Sequence, residues 1–170
     1  MLKDLTRPDW LSLLSIPESR VPMALLLRGT RNLKHWYQCA QQYFTNVLHV
    51  GSPNGVIDDL FLADLGPHAV AYASVYGAPM ASEIVHVCGV LGTRLVVQIG
   101  NCGALADDLA AGDLCNFGMD RTSLLYVVDN PRQKAHRLLG DADKAERRRA
   151  ANDIMIDLAL DVIRTYASRR

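Results

Sequence analysis

The segment from Gly77 to Asp113 constrains the fold more than any other part of this chain. It holds a Gly77-Ala78-Pro79 turn, an apolar run with helical spacing (Met80–Leu91), and a short, mostly apolar run over Arg94–Ile99. The last of these ends at Gly100-Asn101-Cys102-Gly103. An apolar run too short for a buried helix and bounded by glycines reads as a strand buried on both faces. Such a strand, when it stops at glycines and a small polar residue, sets backbone N–H groups where a ligand can meet them. The Gly100–Gly103 tetrapeptide is therefore expected to be a loop at a strand end.

The same alternation extends through the rest of the sequence. Leu5–Leu14 is a short helix candidate with Pro8 near its first turn, where proline is tolerated. Met23–Leu27 reads as a buried strand leading into Arg28-Gly29-Thr30-Arg31. Asn32–Phe44 then reads as a helix, with Leu33, Trp36, Tyr37, Ala40 and Phe44 on one face. Val47–Val50, Val56–Leu62, Ala69–Tyr76 and Ser123–Val128 are further strand candidates. A final helix is expected over Asp143–Tyr166, capped by Asp141 or Asp143, with Ala151, Ile154, Met155, Leu158, Val162 and Tyr166 facing the core. Strands alternating with helices predict an α/β protein, a single domain over 1–170.

Composition narrows the function classes. At 170 residues the chain builds one real core, and its 18 basic and 18 acidic side chains balance. No clustered basic excess suggests nucleic acid, and Arg147-Arg148-Arg149 is interleaved with acids as on a solvated helix face. Cys39, Cys88, Cys102 and Cys115 lie in or beside apolar runs without paired short spacing, so neither a metal site nor a disulfide framework is expected. The five histidines do not cluster, and His49 and His86 read as packing or capping residues. The N-terminal apolar pieces are broken by Asp4, Pro8, Asp9 and Pro17 and match neither a signal peptide nor a membrane span. A soluble cytoplasmic protein is the expectation.

Five parts in register, Gly77-Ala78-Pro79, Leu91-Gly92, Arg94–Ile99, Gly100–Gly103 and Gly112-Asp113, resemble the central segment of the nucleoside phosphorylase family. That family includes purine nucleoside and uridine phosphorylases and related nucleosidases. The resemblance covers Pro22–Asp113 and Met119–Tyr166 and implies a three-layer α/β/α sandwich with a mixed sheet. It implies phosphorolysis of a nucleoside N-glycosidic bond to base and ribose 1-phosphate. Phosphate would be co-substrate, no cofactor would be needed, and the assembly would be a homo-oligomer.

The resemblance also implies the roles of single residues. Gly29 and Arg31 fall where the family has its first glycine loop for phosphate, although the family's Gly-Asp-Pro-x-x-Arg is not reproduced and a plain turn fits the local pattern equally. Gly100 and Asn101 correspond to the phosphate and ribose contacts, with Cys102 and Gly103 beside the base. Asn101 replaces a small hydroxyl residue but still donates through its amide. Asp129 corresponds to the general acid of purine-cleaving members; its local pattern alone, Asp129-Asn130-Pro131, reads as a turn cap. Gln98 stands where phosphorylases carry an arginine. A neutral amide cannot offer the charge-assisted fork of a guanidinium, which leaves water as an alternative nucleophile.

A long family segment bearing the Met-Glu motif that holds the ribose hydroxyls has no counterpart here. Only Leu114-Cys115-Asn116-Phe117-Gly118 separates the two blocks, and Met119-Asp120-Arg121 lies too close to Asp129 to replace the motif. An internal deletion is therefore implied, with weak or no phosphorolysis, an exposed sheet edge and a tendency to associate. Besides the phosphorylase reading stand a hydrolytic nucleosidase and a non-catalytic family member.

Overall fold

The computed structural model describes residues 4–50, 57, 59–104, 114–119, 122–131 and 141–169. By its internal contacts the chain divides into two units, Met1–Val96 and Val97–Arg170. The expectations for Gly112, Asp113 and Asp120 fall outside the described residues.

The first unit is built on a mixed sheet. Strands β1 (Ala24–Gly29), β2 (Thr45–Val50), β3 (Leu60–Leu65) and β4 (His68–Val75) lie in the order β2-β3-β4-β1, and the start of β5 (Leu95–Ala104) follows β1. β1 and β4 are parallel, with Ala24 opposite Val70 and Gly29 opposite Val75. β2–β3 and β3–β4 are antiparallel. Leu65 pairs with His68, so Gly66-Pro67 is a two-residue hairpin turn, and Gly66 takes the positive φ of 62° that its first position demands.

Side-chain alternation along these strands sorts two faces. Leu25, Leu27, Leu60, Leu62, Ala71, Ala73 and Val75 share one apolar cluster with Trp10 and Leu14 from the end of α1 (Arg7–Leu13), and with Ile84, Val87, Cys88 and Leu91 of α3 (Gly77–Leu91). The alternate residues Arg28, Phe61 and Tyr72 meet α2 (Leu33–Ala40), and the Ser74 hydroxyl bonds to that of Tyr72. This unit is thus α/β/α, as expected from the sequence. α3 ends on Gly92 at φ 111°, where Thr93 N donates to Cys88 O at 2.9 Å and Gly92 N to Gly89 O at 3.1 Å. That is a Schellman stop, and β5 begins three residues later.

Several boundaries differ from the sequence reading, and α3 already includes Gly77-Ala78-Pro79, expected as a turn before Met80. The third strand starts at Leu60 rather than Val56, because Asp59 adopts φ 54°, which interrupts an extended backbone. The first helix starts at Arg7 rather than Leu5. The helix expected over Asn32–Phe44 is α-helical only to Ala40 and tightens to 3-10 over Gln41–Tyr43.

In the second unit β5 neighbours β7 (Thr122–Pro131), which pairs antiparallel with β6 (Leu114–Met119). The Gly100–Gly103 expectation is corrected here. These residues belong to β5, which runs on to Ala104, because β7 beside it supplies a hydrogen-bonding ladder that local glycine content alone would not predict. β6 occupies the five residues read as a remnant between two family blocks. Helix α4 (Asp141–Ser168) buries Ala151, Met155, Ile156, Ala159, Leu160 and Ile163. Ile154 and Leu158, expected inward, are 51% and 44% exposed, because the row Ala151, Met155, Ala159, Ile163 forms the buried stripe. Among the described residues no helix is long and apolar enough to cross a membrane.

Candidate functional site

The parallel strands β1 and β4 end side by side, and open α/β sheets bind ligands at such carboxyl ends. Beneath this edge, on the α2 face, lies Arg28, 1% exposed, with its guanidinium carbon 3.5 Å from the centre of the Trp36 ring. Burial pushes the Arg28 pKa down to about 10, against the opposing influence of Tyr72, Cys39 and Tyr43. The Tyr72 hydroxyl donates to Trp36 O at 3.2 Å and shares a hydrogen at 3.1 Å with the Ser74 hydroxyl. Burial pushes its pKa up to about 12. Phe61 stacks on the Tyr72 ring at 5.0 Å. The last turn of each strand is thereby anchored to α2 by rings and a cation.

Past that anchor the chain turns outward. Thr30 N donates to Val75 O at 2.8 Å, extending the β1–β4 pairing by a residue, and Asn32 N donates to the Thr30 hydroxyl at 3.1 Å where α2 starts. Arg31, between them, is exposed, with its guanidinium carbon 5.7 Å from the centre of the Tyr76 ring. Tyr76 is extended, no side chain caps α3, and Gly77 follows at φ 81°. The positive end of the α3 dipole therefore falls at the same edge as Arg31, a field that favours an anion.

The expected site residues divide between the two units. Gly29 and Arg31 come together at the end of β1, Gly29 half-buried and Arg31 exposed. In the second unit Gly100 is buried and Asn101 exposed on β5, after Val97 and Ile99, which are fully buried, and Gln98, which is half-buried. Cys102 and Gly103 continue the same strand, and Asp129 lies on the neighbouring β7, two residues before its end at Pro131. The side chains of Cys102 and Asp129 are outside the described residues.

Sequence reasoning missed the Arg28–Trp36 stack and the exposure of Tyr76. A lone arginine directly after Leu25-Leu26-Leu27 was the available signal for the first, and an aromatic just before a glycine turn for the second. His86 is exposed on α3 rather than packed. His49 is exposed but bonded, its Nδ1 2.6 Å from the Tyr37 hydroxyl. Among the described residues no three His, Cys, Asp or Glu side chains gather as metal ligands.

No family model and no curated protein sequence matches the chain. Solved structures give a partial likeness. Uridine phosphorylase from Vibrio fischeri ES114 superposes with a TM-score of 0.49 at 18% identity, over 59% of this chain and 41% of that one. The same enzyme complexed with 6-hydroxy-1-naphthoic acid gives 0.48 at 19% identity, over 58% and 39%. This chain thus spans about two fifths of the length of those structures.

Proposed function

We propose that the chain is a nucleoside phosphorylase-like protein that cleaves a purine nucleoside with phosphate, giving free base and ribose 1-phosphate. One observation carries the reading. The Gly77 turn, α3, the Gly92 stop and β5 follow one another in the order of the family's central segment, and they deliver Gly100–Gly103 directly after buried Val97 and Ile99. The exposed Arg31 at the end of β1 supplies a cation suited to phosphate.

Breaking an N-glycosidic bond builds positive charge on the sugar and negative charge on the departing base. Asp129 serves as the acid that protonates the purine as it leaves, a task for a carboxyl group whose pKa is raised by partial desolvation. In the first unit Gly29 and Arg31 are the phosphate residues, Arg31 through its exposed guanidinium; in the second, Gly100 and Asn101 are the phosphate and ribose residues, Asn101 through its exposed side-chain amide. Cys102 and Gly103 lie along the base. No cofactor enters this chemistry. Gln98 favours a second reading, hydrolysis by water, because a neutral amide at that place adds no charge for phosphate. The β6–β7 hairpin favours a third, a non-catalytic protein, because Met119 pairs directly with Thr122 where the family carries its ribose-binding segment.

The test is release of free base from inosine, adenosine and uridine, with and without phosphate. With the ribose contacts missing, phosphate-dependent release is expected to be slow, below the ~1 per second at which ordinary enzymes begin. Release that ignores phosphate assigns hydrolysis. No release from any nucleoside assigns the non-catalytic reading and ends the proposal.

A further inference from the structure

The exposed large hydrophobic side chains among the described residues are Leu13, Tyr76, Val85, Ile154 and Leu158. A single such residue is ordinary on a protein surface. Leu13 is the one on α1, Tyr76 precedes α3, and Val85 is the one on α3. Ile154 and Leu158 differ. Four residues apart on α4, they stand side by side on one face, 51% and 44% exposed, and half-buried Val162 continues the row.

What surrounds this row decides what can cover it. Arg147 lies seven residues before Ile154 and Asp161 seven residues after it, and both are exposed. Seven residues make nearly two helical turns, so the three side chains share one face at intervals of about 10.5 Å along the axis. Ala150, also exposed, lies four residues before Ile154, as Leu158 lies four after it. Outward from Ile154 the face thus carries a small residue and then a cation in one direction. In the other it carries a large apolar residue and then an anion.

Reversed, that pattern is complementary to itself. Two copies laid antiparallel about a two-fold axis at Ile154 bring Leu158 of each against Ala150 of the other, and Arg147 of each against Asp161 of the other. Asp157, beside the seam, falls opposite Ala151. A parallel pair would instead set Arg147 on Arg147 and Asp161 on Asp161, so the charges select the antiparallel arrangement. Asp161 Oδ1 already accepts from Arg164 Nη1 at 2.7 Å, but both side chains are largely exposed. Such a surface pair contributes little, and the carboxylate has a second oxygen to offer.

We propose that the face of α4 from Arg147 to Asp161 docks antiparallel on the same face of a second copy of this chain, giving a closed two-fold dimer. The inference is independent of the nucleoside reading, because none of the residues assigned to phosphate, sugar or base lies on α4. The contact uses the same patch on both copies and so stops at two, unlike the open-ended growth that unpaired sheet edges invite. A single helix-to-helix seam is a small interface, so the dimer is reversible and forms with rising concentration.

The experiment is sedimentation equilibrium of the whole chain from about 1 µM to several hundred µM, a span that includes weak protein association. A monomer–dimer equilibrium is expected. Ile154→Asp places two like charges at the two-fold axis and should weaken dimerisation roughly tenfold or more. Arg147→Asp and Asp161→Arg should each weaken it as well, since each sets like charge against like. The two exchanges combined should restore it to near the parent level, and added salt should weaken the parent dimer. The altered residues are exposed, so the fold is expected to survive, and thermal melts check this for every variant. A chain that stays monomeric over the whole range overturns the proposal. An assembly of any size that Ile154→Asp leaves unchanged overturns it too, as do single reversals that cost nothing or a double exchange that fails to restore the loss.

Discussion

Two glycines at the C-terminal end of α3, Gly89 inside it and Gly92 just past it, should respond to alanine in opposite directions. Gly92 ends the helix at φ 111°, and a Cβ built there meets nothing within 4 Å. The whole cost of Gly92→Ala is therefore conformational, the strain of an L-residue in the left-handed region, about 1–2 kcal/mol. Relaxing that strain would break the hydrogen bonds from Gly92 N and Thr93 N to the last helical carbonyls, so the backbone has no inexpensive escape. Gly89 lies inside the helix, is exposed, and likewise has nothing within 4 Å of an added Cβ. Gly89→Ala should stabilise by about 0.5–1 kcal/mol through the lower entropy of the unfolded chain. At about 2–4 °C per kcal/mol for a chain of this size, the melting temperature should fall by roughly 2–8 °C for the first and rise by roughly 1–4 °C for the second. Urea unfolding with an unchanged m value is the measurement. Gly92→Asn should fall between wild type and Gly92→Ala, since asparagine tolerates this backbone better. A Gly92→Ala protein as stable as the parent would refute the Schellman assignment and the αL strain argued from it.

Further outcomes bear on the site and the core. Asp129→Asn is expected to slow purine nucleoside cleavage by roughly 100-fold, the scale of a lost general acid, with little change in melting temperature; equal rates would leave Asp129 a residue of β7 without a catalytic part. Arg31→Ala should raise the phosphate KM by roughly tenfold or more, the value of a charge-assisted hydrogen bond, and a KM that stays put would remove Arg31 from phosphate binding. Cys88 is buried, and desolvation pushes its pKa up to about 12. Its thiol stays protonated when folded while the unfolded chain loses that proton near pH 8.5, so the unfolded state binds fewer protons there and stability falls as pH rises. Stability followed by urea titration should decline between about pH 9 and 12, and Cys88→Ala should flatten that decline; an identical slope in the variant would count against it.

The parts legible in the sequence are those decided by local pattern. α3 could be read because its apolar spacing is bracketed by Gly77 and Gly92, and both glycines prove to hold positive φ. β1 and β4 could be read because Leu25-Leu26-Leu27 and Ala69–Val75 are apolar without alternation, as strands covered on both faces must be. What stayed hidden depends on partners distant in sequence. β5 continues through Gly100–Ala104 because β7 lies beside it, and Leu114–Met119 becomes a strand by pairing with Thr122–Val127. Neither fact is written in the local residues. The face of α4 was misjudged because Ala151 and Ala159 mark the close-packed row, while the bulkier Ile154 and Leu158 suggested another. At the candidate site, sequence could nominate Arg31 and Gly29 by position. It could not tell that Arg28 turns inward onto Trp36 while Arg31 turns out toward Tyr76.

The place of β1 in its sheet also sets an order of events during synthesis. Met23 N donates to Ala69 O at 2.9 Å and Met23 O accepts from Arg94 N at 3.1 Å, so the earliest strand lies between two that are made much later. As the chain leaves the ribosome at about 5–20 residues per second, Leu25-Leu26-Leu27 remains without a β-partner for seconds, first until β4 emerges and again until β5 does. The antiparallel β3–β4 hairpin, closed by Gly66-Pro67, needs no such wait and can form as a local unit ready to receive β1. The nascent chain therefore passes through a period in which a strand destined for full burial is unpartnered. Chaperone occupancy should be concentrated there, and a ribosome stalled with Arg94 still inside its tunnel should hold a chain far more open to protease than one stalled with the whole of β5 outside it.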